Sequence, residues 1–255
     1  MSKTYKIAIL QDKPGLGIRD DYHKLLEEYP PDILALPEYY FVRPDEKNVI
    51  DSTVRHDDIK AEIRNISEQY NCLLIGGTVV VDEKGKLYNR SYLCNNGSFL
   101  GHFDKIHPYD NGGRGQIQPG HDYKVFDYDG LKIGVLICAD VLYPNSFRNI
   151  RGLRPDLIFI PTTSPYRENE PKSEKFERDK KIYGEGALAA NSILFKIGAS
   201  GQITRHKLQG RSLIAFPGEV IWRIEPENED KSALVISECS FDPDNPSFKI
   251  QVFHL

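Results

Sequence analysis

Three short apolar runs, each closing on a single polar side chain, constrain this chain more than any other feature. They are Asp32-Ile33-Leu34-Ala35-Leu36-Pro37-Glu38, Phe99-Leu100-Gly101-His102-Phe103-Asp104-Lys105 and Leu131-Lys132-Ile133-Gly134-Val135-Leu136-Ile137-Cys138. The third is short, rich in β-branched residues and bounded by Asp129-Gly130 and Pro144-Asn145, which predicts a buried strand over Leu131–Cys138 rather than a helix. In open α/β sheets ligands bind at the C-terminal rim of the strands, so Cys138 would stand where a nucleophile can meet substrate. Free cysteine is also among the most buried residue types, and a cysteine ending an apolar run is more often an inert core thiol than a nucleophile. A carboxylate after proline can be a turn residue, and a lysine at a strand end is commonly solvated. Were the three strands neighbours, Glu38, Lys105 and Cys138 would converge at one rim.

The rest of the chain alternates helical and strand periods. Tyr22, Leu25, Leu26 and Tyr29 fall at helical spacing before Pro30-Pro31. Ile59, Ile63, Ile66 and Tyr70 form the clearest helical stripe, with Asp57, Lys60, Glu62 and Arg64 on the other faces. From Cys72 the period becomes that of strands, with hairpin signals at Asp82-Glu83-Lys84-Gly85 and Asn95-Asn96-Gly97. Val125–Tyr128 should pair with the Cys138 run across Asp129-Gly130. A helix with Phe147 and Ile150, a strand at Leu157–Ile160, and a charged stretch from Thr163 to Lys181 follow, the first half of that stretch reading as a surface loop. After a helix ending near Asn191, strands are expected at Ile193–Ala199, Ser212–Phe216, Val220–Ile224 and Leu234–Ser237, with a turn at Pro217-Gly218-Glu219. With neither repeat nor composition break, the pattern predicts one α/β domain over residues 1–255, its large sheet covered by helices.

Composition narrows the partners. At 255 residues, 40% of them apolar, the chain can bury a large core without covalent staples. Lysine and arginine number 33 against 37 acids, a net charge of −4 that speaks against nucleic acid. The four cysteines, Cys72, Cys94, Cys138 and Cys239, lie far apart without the spacing of a zinc site, so reduced thiols and no metal are expected. No apolar run reaches membrane-spanning length, and Met1-Ser2-Lys3 leads directly into a strand, which predicts a cytoplasmic protein without a membrane partner.

The residues Ala35-Leu36-Pro37-Glu38, Asp104-Lys105-Ile106-His107, Gly134–Asp140 with Pro144 and Arg148 downstream, and Pro161-Thr162-Thr163 stand in the order of a known family. So do Gly186-Ala187-Leu188-Ala189-Ala190-Asn191 and Gly210-Arg211-Ser212 with Pro217-Gly218. On these motifs the chain strongly resembles the nitrilase superfamily, the carbon-nitrogen hydrolases, from about Tyr5 to Ser237. The resemblance implies a four-layer αββα sandwich, a Glu38, Lys105 and Cys138 catalytic triad, the backbone N–H of Ala139 as an oxyanion donor, no cofactor, and a homodimer or higher homo-oligomer. It also implies hydrolysis of a small amide through a cysteine thioester. The alternatives are an N-carbamoyl amide hydrolase, for which Arg114 and Arg167 could meet a substrate carboxylate, a nitrilase acting on a small nitrile, and a weakly active or inactive member serving as a binding or assembly protein. Tyr39 and Thr163 complete the candidate pocket.

The chain departs from the family in two places. Many members carry a second glutamate in the loop after the lysine, whereas Ile106 to Gly120 offers Asp110 as its only acid, making Asp110 the candidate auxiliary acid. Pro144-Asn145 stands where the family often has proline followed by glutamate. The unpaired-looking alternation of Phe248-Lys249-Ile250-Gln251-Val252 suggests a tail packed across the subunit interface.

Overall fold

The computed structural model describes residues 3–15, 17–109, 116–240 and 247–254. In its first strand, β1 (Thr4–Gln11), Ile7 and Ile9 enter one buried cluster while Ala8 and Leu10 enter another. Successive residues of a strand face opposite ways, so a strand apolar at both parities needs cover on both faces. On one face, α1 (Asp20–Glu28) supplies Tyr22 and Leu26. β2 (Ile33–Ala35) repeats the pattern, Leu34 joining the helical side and Ile33 and Ala35 the other. α2 (His56–Gln69) completes the helical layer with Ile59, Ile63 and Ile66, the stripe its spacing predicts.

β1, β2 and β3 (Leu73–Ile75) run parallel, and β4 (Val79–Glu83), β5 (Lys86–Asn95) and β6 (Ser98–Asp104) extend the sheet by antiparallel pairing. β3 and β4 share one edge of β5, and β6 takes the other. The second sheet begins with the hairpin of β7 (Val125–Tyr128) and β8 (Leu131–Val135). After α3 (Pro144–Arg151), β9 (Leu157–Thr162) joins β8 in parallel. The chain then forms α4 (Lys172–Asp179) and α5 (Glu185–Ala190), ended by Asn191 in the left-handed conformation. β10 (Ile193–Gly198) returns beside β9, and a small separate ribbon, β11 (Gln202–Ile203) with β12 (His206–Lys207), interrupts the path. β13 (Leu213–Phe216) and β14 (Glu219–Arg223) finish the sheet.

The two sheets meet over a common core that holds Ile7, Ile9 and Ile33 of the first with Val135, Phe159 and Phe195 of the second. Phe159 and Phe195 stack there at 5.2 Å between ring centroids. Phe147 and Ile150 of α3 and Ala187 and Ala190 of α5 cover the second sheet. The result is the helix, sheet, sheet, helix order of a four-layer αββα sandwich.

Two expectations change, and a third is extended. The strand expected over Leu131–Cys138 ends at Val135, and Cys138–Leu142 is a 3₁₀ turn. The first half of the charged stretch after Thr163 is the exposed loop expected, and its second half forms α4, which buries Lys175 and Asp179. The C-terminal alternation, read as lacking a local partner, has one within the chain: β16 (Ser247–His254) pairs antiparallel with β15 (Ala233–Ser240) from Ala233↔His254 to Ser240↔Ser247, and β15 pairs with β1. Among the described residues no helix is long and apolar enough to cross a membrane, and no cluster of three or more His, Cys, Asp or Glu side chains could hold a metal ion.

Candidate active site

Glu38, Lys105 and Cys138 come together although their strands are not neighbours. β3 and β5 separate β2 from β6, and β8 belongs to the other sheet. Face-to-face packing of the sheets does what adjacency was expected to do. Lys105 Nζ donates to Glu38 Oε1 at 2.7 Å, with both side chains almost fully buried. Cys138 opens its 3₁₀ turn at φ +43°, a left-handed conformation costing a non-glycine residue about 1–3 kcal/mol. Its Sγ donates to the Thr163 carbonyl at 3.4 Å.

The Glu38 carboxylate is fixed from four directions. Oε1 accepts from Lys105 and from Asn89 Nδ2 at 3.0 Å, while Oε2 accepts from the Thr163 N–H at 3.0 Å and the Thr163 hydroxyl at 2.6 Å. Thr163 thus touches the sulfur through its carbonyl and the carboxylate through its other polar atoms. Two glycines let the supporting loops approach: a Cβ at Gly77, which sits at φ +60°, would lie 2.3 Å from the Pro37 carbonyl oxygen, and one at Gly120 would lie 2.3 Å from that of Asp104. No larger residue fits either position without moving the segments that carry Glu38 and Lys105.

Burial pushes the Cys138 thiol up to about 12, Glu38 adding to the rise and Lys105 opposing it. The resting sulfur is therefore a thiol at neutral pH. Burial pulls Lys105 down, but Glu38, Cys138 and Tyr39 outweigh it and hold the ammonium charged. Asp140, fully buried, accepts from the N–H of Ile137 at 2.9 Å and of His107 at 2.7 Å, tying the turn that carries Cys138 to the segment after Lys105. Burial raises Asp140 to about 6, against those backbone bonds and Lys105. Because the folded state then holds this proton more tightly than the unfolded chain, the contribution of Asp140 to stability falls as pH rises from about 4 to about 6. Urea unfolding of wild type and Asp140→Asn should show their stability difference declining over that interval by up to about 3 kcal/mol. A flat difference would contradict the assignment.

A cavity of about 600 Å³ is lined by Glu38, Lys105, Cys138 and Ala139, and also by the expected Tyr39, Thr163 and Arg167. The Tyr39 hydroxyl accepts from Asn89 Nδ2 at 2.9 Å. The Arg167 side chain is 66% exposed, and its guanidinium lies 3.8 Å from Glu170. Asp110 and Arg114 lie outside the described residues. Asn89, Asp140 and a buried charged group of Asp179, Lys196 and Arg211 on the same cavity were not among the candidates. Lys196 left a trace as a lone charge inside the apolar run of β10, whereas Asn89 opens the polar triplet Asn89-Arg90-Ser91 and stands out less. Gly210-Arg211-Ser212 stands in the sequence as a family-like landmark that gives Arg211 no role.

The family model described as carbon-nitrogen hydrolase matches residues 7–177. Glutamine-dependent NAD(+) synthetase of Acinetobacter baylyi is 25% identical over 181 residues, which cover 67% of this chain and 33% of that protein. The chain thus corresponds to about a third of that relative's length. Omega-amidase NIT2-A of Xenopus laevis is 31% identical over 183 residues, 68% of this chain and 64% of the relative. The crystal structure of a carbon-nitrogen hydrolase from Helicobacter pylori G27 superposes with a TM-score of 0.78 at 17% identity, covering 92% of this chain and 88% of that one. The likeness in fold and the family match agree. The chain belongs to the carbon-nitrogen hydrolase family.

Proposed function

We propose that the chain hydrolyses the carbon-nitrogen bond of a small amide, of the omega-amidase or aliphatic type, through a thioester on Cys138. The observation that carries this reading is the buried Glu38–Lys105 pair sharing one cavity with the Cys138 thiol. Because that thiol rests protonated, its deprotonation is coupled to attack: Glu38 takes the proton as the sulfur bonds to the substrate carbonyl carbon. Negative charge moves onto the carbonyl oxygen, where Lys105 and the Ala139 N–H stabilise it, an arrangement worth about two to three powers of ten per donor. Collapse breaks the carbon-nitrogen bond, the nitrogen taking its proton from Glu38 and leaving as ammonia. Water gives a proton to Glu38 and attacks the thioester. The carbon-sulfur bond then breaks, the acid departs and sulfur regains its proton.

The likeness to an omega-amidase supports the amide over the nitrile, and the exposed Arg167 beside Glu170 lends no support to a carbamoyl substrate. Subunit pairing is part of the same reading: Leu142, Tyr143, Leu153 and Leu188 stay exposed around α3 and α5, an apolar face suited to a homodimer. Purified protein should release ammonia from small aliphatic amides in a panel that also holds carbamoyl compounds and nitriles. Silence of the folded protein across the whole panel would favour the binding or assembly role.

A further inference from the structure

The proposed chemistry asks Glu38 to accept a proton, yet its resting carboxylate has no site left to take one. An ionised carboxylate offers about four lone-pair sites. Lys105 Nζ at 2.7 Å and Asn89 Nδ2 at 3.0 Å occupy those of Oε1. The Thr163 N–H at 3.0 Å and the Thr163 hydroxyl at 2.6 Å occupy those of Oε2. The Cys138 thiol meanwhile donates to the Thr163 carbonyl at 3.4 Å. Burial, with Glu38 nearby, pushes that thiol up to about 12 and keeps it protonated. Acid and base therefore stand side by side and idle.

One of the four donors must give way before the proton can move, and they are not equally free to do so. Lys105 is the buried cation of an ion pair, and withdrawing it would leave two buried charges unmatched. Asn89 Nδ2 also donates to the Tyr39 hydroxyl at 2.9 Å, which fixes its amide from a second side. The Thr163 N–H belongs to backbone directly after β9, where the Thr162 carbonyl accepts from the Ala199 N–H at 2.9 Å. Only the Thr163 hydroxyl can turn its hydrogen away about a single bond, with no heavy atom moving. Thr163 also lines the cavity, so a molecule bound there can offer that hydrogen a new acceptor.

We propose that the Thr163 hydroxyl is a latch on Glu38: it closes Oε2 in the empty protein and turns toward the substrate when the cavity fills, opening Oε2 to the proton of Cys138. The S–H bond then breaks as an O–H bond forms on Oε2, and the electron pair left on sulfur makes the bond to carbon. When that proton departs with the leaving nitrogen, the latch can close again. Thr163 acts through Glu38, as a positioning residue. This rests on the amide-hydrolase reading and adds how the site is kept idle without substrate.

Methyl methanethiosulfonate tests the latch without any amide: the Cys138 sulfur takes its methylthio group and expels methanesulfinate, while the thiol proton passes to Glu38. Thr163→Val keeps the shape, the N–H and the carbonyl and removes only the hydroxyl, leaving Oε2 open at all times. Labelling of Cys138, followed by peptide mass, should be at least about tenfold faster in Thr163→Val than in the wild type, as expected from losing a hydrogen bond to a charged group. Thr163→Ser, which keeps the hydroxyl, should stay within about threefold of the wild type by the same reasoning. The same valine in the Glu38→Gln/Lys105→Met protein, which has no base to release, should leave the rate within about threefold. An unchanged or slower rate in Thr163→Val would overturn the latch, as would Thr163→Ser labelling as fast as Thr163→Val. Equal acceleration with and without Glu38 would mean that valine merely exposes the sulfur, and would overturn it too. Ammonia release from butyramide by the wild type, measured beside the labelling, tests the amide-hydrolase reading independently.

Discussion

Cys138→Ala is expected to abolish amide hydrolysis, with a loss of roughly four to six powers of ten in kcat, while the protein stays folded. No other thiol can replace it. Cys72, Cys94 and Cys239 are free but buried, and burial pushes Cys72 up to about 12 and Cys94 upward as well. Alanine keeps the Cβ at φ +43° and removes only the sulfur, so unfolding should cost within about 1 kcal/mol of wild type and Tm should move by no more than about 2–4 °C. Ammonia release and a thermal melt on the same sample check both halves. Serine at Cys94 should leave turnover near wild type. Full activity in Cys138→Ala would remove the thioester mechanism altogether.

Removing either member of the Glu38–Lys105 pair is expected to cost activity, but the two losses should differ in stability. If Lys105 becomes methionine, Glu38 keeps Asn89 Nδ2 and the Thr163 N–H and hydroxyl as donors. If Glu38 becomes glutamine, the buried ammonium loses the only ion-pair partner it has among the described residues. Leaving a buried charge bare typically costs about 3–5 kcal/mol. Glu38→Gln should therefore unfold at distinctly lower urea than Lys105→Met, and the double variant should be more stable than Glu38→Gln alone. Turnover should fall by roughly two to four powers of ten in Glu38→Gln and two to three in Lys105→Met. Equal destabilisation by the two single changes would show that the pair is not the asymmetric unit its hydrogen bonds describe.

Much of this arrangement was legible before any coordinates, and the limits have physical causes. The stripe Ile59, Ile63, Ile66 was plain because helical period and burial coincide there. Glu38, Lys105 and Cys138 were legible because a polar residue closing an apolar run is conspicuous. Their convergence was not, since periodicity assigns a face to each residue but not a neighbour to each strand. The left-handed turn at Cys138 was hidden for a related reason: Ile137 continues an apolar run that the backbone itself has already left. The double contact of Thr163 uses two backbone atoms, which no side-chain pattern records. The partner of β16 was equally silent, because pairing is written in the backbone register. Lys196 was overlooked because one charge inside β10 was outweighed by the apolar residues around it.

Glu38 and Lys105 ride on the first sheet, while Cys138 and Thr163 ride on the second. The gap between the Glu38 carboxylate and the Cys138 sulfur is thus not set within any one loop. It is gauged by the thickness of the hydrocarbon filling between the sheets, where Ile9, Phe159 and Phe195 act as shims. A misplacement of about 1 Å can cost roughly a hundredfold in rate, so trimming one of these distant side chains would detune the chemistry as well as loosen the fold. Under the proposed mechanism the oily interior doubles as the calibration of the reacting atoms.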